Sequence, residues 1–116
     1  MDISPDRILQ VVLGDLPEDQ RRSCVVYLDE RLVPAGAGIS VNGGEVRVPW
    51  PAVMLFVDLE PTVNWGHACR YVLLGAEPGE VQAVGARFPP FLQGMPETMH
   101  ILWKGEDVPD WAVASH

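Results

Sequence analysis

Val53-Met54-Leu55-Phe56-Val57-Asp58-Leu59 is an almost unbroken apolar run, and Pro61 closes it. A strand with one wet face alternates apolar and polar residues. A run without that alternation marks a central strand covered on both faces. On its C-terminal side the segment Glu60-Pro61-Thr62-Val63-Asn64-Trp65-Gly66 reads as a loop, and His67 to Leu74 as a second strand. Glu77-Pro78-Gly79-Glu80 places Pro and Gly where a type II turn wants them, so Val81 to Phe88 should return as a third strand. Pro89-Pro90 forces an extended connection, and Met99 to Lys104 is the last strand candidate. The tail holds Pro109 and Trp111 and is expected to form a turn or one helical turn that packs its indole down.

On the N-terminal side, Gly38 to Val41 and Gly44 to Val48 flank Asn42-Gly43, a pair that accepts the positive φ angles of a type I′ hairpin turn. That turn sets Ile39 opposite Val46 and Ser40 opposite Glu45, which gathers Ile39, Val41, Val46 and Val48 on one face. Pro49-Trp50-Pro51 ends the hairpin stiffly. Residues 21–33 carry two signals. Arg21, Val25, Leu28 and Leu32 fit helical spacing, and Asp15 with Glu18 resembles a capping box. Cys24-Val25-Val26-Tyr27-Leu28 is rich in strand formers, which favours a strand over 23–28, a turn at Asp29-Glu30 and a short return over 31–33. Residues 4–13 predict a helix: Ser4 caps it, Pro5 suits the first helical position, and Ile8, Val11, Val12 and Leu16 give one apolar face up to a stop at Gly14.

The 116 residues suffice for one domain: a helix at 4–13, a β core over 23–104 and a tail at 105–116. The expected fold is mainly β with a minor α part, a small antiparallel sandwich or partly open barrel of about six or seven strands with one N-terminal helix. Two cysteines are too few for a disulfide scaffold, and Asp2 and Asp6 stand where a secretory leader would be basic, so a cytoplasmic protein with free thiols is expected. No run of 18 apolar residues suggests a membrane span. The net charge of −8 disfavours nucleic acid and anionic membrane as partners and suits a basic protein.

The densest polar cluster is Asp58, Glu60, Asn64, His67, Cys69 and Arg70. Strand alternation places Asp58 with Glu60, and His67 with Cys69, on common faces. Zinc accepts carboxylate, imidazole and thiolate ligands, so Asp58, Glu60, His67 and Cys69 form a candidate metal site, with Cys24 as a further thiolate should its strand lie alongside. No Cys-x-x-Cys or His-Glu-x-x-His accompanies it. The competing reading is structural: Asp58 and Glu60 cap loop amides, Arg70 pairs with one of them, and the cysteines are small buried residues. Cysteine catalysis with His67 as base suffers from the spacing of residues two apart on a strand, roughly 6–7 Å. No glycine-rich loop precedes a helix, so no cofactor is expected beyond that zinc.

Trp50, Trp65, Phe88 and Phe91 sit on stiff, proline-flanked or loop segments, where an exposed aromatic anchors a partner at little entropic cost. With no recognisable catalytic set, these residues point to a non-catalytic protein-interaction module, a regulatory or accessory subunit. The alternative is a metal-binding domain or small metal-dependent enzyme centred on residues 58–70.

Overall fold

A computed structural model describes residues 3–41, 44–63, 66–88 and 95–114. Helix α1 (Pro5–Leu13) begins as the sequence predicts: Ser4 is its N-cap, accepting from the Arg7 amide, and Pro5 opens its first turn. A second helix, α2 (Glu18–Ser23), precedes strand β1 (Val25–Val33). There follow β2 (Gly38–Val41), β3 (Gly44–Arg47), β4 (Ala52–Asp58), β5 (Cys69–Leu74), β6 (Val81–Ala86) and β7 (Met99–Lys104), and a 3-10 turn at Asp110–Ala112. Five strands form one antiparallel sheet in the order β6-β5-β4-β1-β7, and β2 and β3 form a separate two-stranded sheet. The mainly-β antiparallel fold with an N-terminal helix is therefore as expected.

β4 is the middle strand, as its apolar run predicts, and strand alternation divides its side chains between two cores. Leu55 and Val57 face α1, where they join Ile8, Val12, Leu16, Val26 and Val72. Met54 and Phe56 face the other layer, where Tyr27, Tyr71 and Leu73 meet Val41 and Val48 of the hairpin region. The hairpin keeps the predicted register, Ile39 opposite Val46 and Ser40 opposite Glu45. Its turn residues, Asn42 and Gly43, lie outside the described residues.

Three local expectations are corrected. Residues 21–33 divide between the end of α2 and β1: of the residues at helical spacing only Arg21 is helical, and Val25, Leu28 and Leu32 lie in the strand. The N-cap of α2 is Pro17 with no side-chain cap, so the Asp15–Glu18 capping box does not form. No turn forms at Asp29-Glu30, and β1 runs on to Val33. The partner of Asp29 is Met54 and that of Val33 is Ala52, so β1 spends four steps where β4 spends two. The cause lies in Asp29, whose Oδ1 accepts from the Arg31 backbone amide at 3.0 Å while the Arg31 guanidinium reaches Oδ2 at 2.7 Å. This local bonding makes a bulge instead of a reversal. Second, Glu80 N donates to Glu77 O at 3.0 Å, but Gly79 lacks the positive φ of a type II turn; among the described residues the positive-φ glycine is Gly36, at 88°. Third, the Trp111 indole is 70% exposed and does not pack down.

Arginine side chains knit the helical layer to the sheet. Arg7 donates to the carbonyls of Gly75 at 3.0 Å and Glu77 at 2.9 Å in the β5–β6 connection. Arg21 Nε donates to the carbonyls of Leu13, the last residue of α1, and Leu16, just beyond it. Gly105 lets the tail pass against the end of α2, since a Cβ there would lie 2.2 Å from the Arg22 carbonyl oxygen. No described helix is long and apolar enough to cross a membrane.

Leu55→Asp places an uncompensated carboxylate at a position that is 0% exposed. The cost is several kcal/mol, about as large as the whole stability of a small domain. The variant is expected to lose its native circular dichroism and precipitate. A folded, soluble Leu55→Asp protein would contradict burial of β4 on both faces.

Candidate functional site

The site grows from the end of β4. Register sets Asp58 opposite Val25 on one side and Cys69 on the other. The same alternation that buries Phe56 and Met54 turns Asp58 into the hairpin-side layer, where it is only 8% exposed. A carboxylate there needs hydrogen bonds. Its Oδ1 lies 2.8 Å from His67 Nε2 and accepts from the Glu60 amide at 3.1 Å. With the carboxylate ionised, the imidazole N–H is the donor. His67 precedes β5, and its own amide donates to the Arg87 carbonyl at 2.8 Å. Glu60 Oε1 accepts from the Ala68 amide at 2.7 Å. Two carboxylates thus clasp both ends of the loop between β4 and β5.

Burial pushes the Asp58 carboxyl above its ordinary value of 3.8, and the nearby His67 only partly offsets this. Burial also pushes the Cys24 and Cys69 thiols up to about 11, with the Asp58 charge adding to both. Both sulfurs act as thiol donors to backbone carbonyls, Cys69 to Phe88 at 3.6 Å and Cys24 to Arg21 at 3.7 Å. A thiol held protonated is the opposite of an activated nucleophile. Tyr71 donates to the same Phe88 carbonyl at 3.0 Å, and burial pushes its hydroxyl up to about 12.

Of the predicted zinc set, the structure brings Asp58 and His67 into contact. Cys69 lies across the strand pair from Asp58 with its sulfur turned to Phe88. The Glu60 carboxylate is turned to Ala68. Cys24 belongs to the α1-side core, the opposite face of the sheet from Cys69. For one zinc ion to be held by all four predicted ligands, Glu60 and Cys69 would have to leave these partners. Among the described residues, no group of three or more His, Cys, Asp and Glu side chains is arranged to hold a metal. The capping of loop amides by Asp58 and Glu60 and the burial of both free cysteines follow the structural reading. Arg70 forms no ion pair with either carboxylate among the described residues.

Asp58 and His67 open into a cavity of ≈ 280 Å³ whose other walls include Tyr27, Phe56, Val63 and Trp111. The Tyr27 and Phe56 rings stack at 5.7 Å. The C-terminal tail forms one wall of the cavity because the Ala114 amide donates to the Tyr27 hydroxyl at 2.9 Å and Lys104 pairs with Asp110. Trp111 therefore projects from an anchored segment. Of the aromatic anchors predicted from sequence, Phe88 is 57% exposed and its ring lies over Gly66. Trp50 is half-buried against the core, and Trp65 and Phe91 lie outside the described residues. Sequence reasoning missed Trp111 and Tyr27. Tyr27 joins the site only through the β1–β4 pairing, which links residues about thirty positions apart and leaves no local signal.

No protein-family model, curated protein or solved structure matches the chain. Its function is accordingly read from its own residues.

The raised Asp58 carboxyl has a consequence for stability. Because the folded state holds that proton to a higher pH than the unfolded chain does, the favourable contribution is complete below 3.8 and is lost as pH rises through the raised value. Asp58→Asn keeps an acceptor for His67 and Glu60 but removes the titration. Urea unfolding of both proteins across acid to neutral pH should show the wild type losing stability relative to Asp58→Asn as pH rises. A difference that stays constant or moves the other way would contradict burial of an ionisable Asp58.

Proposed function

We propose that this domain is a non-catalytic protein-interaction module, and that it takes its partner at the end of the sheet where the β4–β5 loop and the C-terminal tail meet. The observation that carries this reading is Trp111. A tryptophan that is 70% exposed on a segment tied down by Ala114–Tyr27 and Lys104–Asp110 loses little freedom on docking. Val63, 40% exposed, lies on the same cavity rim. Phe88 stands over Gly66 at the same end of the sheet, beside the backbone that receives His67. Exposed apolar groups around a concave floor are the anatomy of a binding patch.

Charge supports a basic partner. The chain carries 16 acidic and 8 basic residues, and a net charge of −8 speeds encounter with a cationic surface. The protonated, backbone-bonded thiols of Cys24 and Cys69 favour the non-catalytic form of the reading.

The test is affinity capture from native lysate with the wild-type chain and Trp111→Ala in parallel. The indole makes few contacts, so the substitution should leave the melting temperature within about 0.5 kcal/mol equivalent of wild type. A stoichiometric protein retained by the wild type and lost from Trp111→Ala is expected. Capture that is indifferent to Trp111 would refute this location for the interface.

A further inference from the structure

Among the described residues, Asp58 brings to the cavity beneath Trp111 a carboxylate oxygen with unused capacity. Asp58 Oδ1 is occupied by His67 and the Glu60 amide, whereas Oδ2 has no hydrogen-bond partner among the described residues and is not sealed from solvent. The atom is an acceptor carrying charge in a recess whose lining is about as polar as it is apolar. An anion would be repelled by it, and a neutral apolar group would strip its remaining hydration with no return. A cation bearing N–H donors satisfies it, gaining a charge-assisted hydrogen bond.

The walls narrow the choice of cation. The Trp111 indole is the exposed aromatic surface at the recess, with Tyr27 and Phe56 buried beneath it, and a flat delocalised guanidinium stacks on such a surface while its fork of donors reaches a carboxylate. A volume of ≈ 280 Å³ admits one side chain and no larger element of a partner. The neighbouring donor groups of the chain are already engaged, His67 Nε2 with Asp58 Oδ1 and Lys104 with Asp110, and the Glu60 charge near Asp58 adds negative potential at the recess. We propose that this recess is a cradle for an arginine side chain of the protein partner, with its guanidinium stacked on Trp111 and hydrogen-bonded to Asp58 Oδ2. The inference rests on the interaction-module reading and names the chemistry by which that module selects its partner.

The experiment is an NMR titration of the isotope-labelled full chain with N-acetyl-arginine amide and, separately, with N-acetyl-citrulline amide, its neutral isostere. The signals read are the Trp111 indole N–H and the amides of Ala112, Val113 and Ala114. Arginine amide should move them saturably with a dissociation constant of about a millimolar, as suits one side chain. Citrulline amide should bind about tenfold or more weakly, because the charge-assisted bond is lost. Asp58→Asn should weaken arginine binding by a similar factor. Trp111→Ala should do the same, read on the amides of residues 112–114, and serves should Asp58→Asn prove poorly folded. Absence of movement, equal movement by the two probes, or binding untouched by both substitutions would overturn the cradle. A Trp111-dependent partner captured by a chain that ignores arginine amide would remove the cradle and leave the module standing. Selective arginine binding with no Trp111-dependent partner would support the cradle and count against the module.

Discussion

A carboxylate at the end of a doubly covered strand organises this molecule. β4 is flanked by β1 and β5 and covered on one face by α1 and on the other by the hairpin layer. Each large side chain so buried contributes about 1.5–3 kcal/mol. The strand's alternation cannot be broken without turning one of its cores to solvent, so Asp58 is carried into the interior by the residues before it. Once there, it must find donors. His67 and the Glu60 amide supply them, and in doing so they fix both arms of the β4–β5 loop over the sheet end. Strand pairing places Tyr27 and Phe56 under the cavity, the tail supplies one wall, and the requirement of Asp58 for donors holds the loop across it.

The parts of this arrangement legible in sequence are those set by local chemistry. The unbroken run from Val53 to Leu59 shows a central strand because no residue in it but Asp58 tolerates water. Ser4-Pro5 shows a helix start because cap and proline each have one favoured place there. The register expected on either side of Asn42-Gly43 is the one β2 and β3 adopt, Ile39 opposite Val46 and Ser40 opposite Glu45. Asp58 and His67 stand out as polar residues beside apolar strands, and they meet. The remainder was hidden because it depends on pairing at long range or on competition between equal local forces. Asp29 looks like a turn former, yet its bond to Arg31 produces a bulge that β4 accommodates. Trp111 looks like a core residue by type, yet its neighbours Ala112, Val113 and Ala114 are the tail residues that pack against the core, and the indole stays outside. Tyr27 reaches the site only through strand pairing.

The chemistry of the site argues for recognition. A cysteine built for attack sits where positive charge lowers its pKa. Cys69 instead sits beside the Asp58 charge, donating to a carbonyl. The imidazole of His67 spends a ring nitrogen on a buried acid that also holds a loop amide, which makes the pair a fastener of the loop. Rigid support beneath an exposed indole is what a recognition surface needs, because binding then costs little ordering. From strand to surface, apolar burial of β4 positions Asp58, Asp58 positions the loop, and loop and tail together present Trp111, Val63 and the Asp58 carboxylate.

The measurement that tests this account most directly is peptide-resolved hydrogen–deuterium exchange of the chain, alone and in complex with the protein it retains. Protection gained on binding is expected to concentrate in residues 58–67 and 108–114 and to leave the β2–β3 hairpin and the outer edge of β6 unchanged. Protection centred on the hairpin or on the β6 edge, with the Asp58–Trp111 end exchanging as in the free chain, would contradict it.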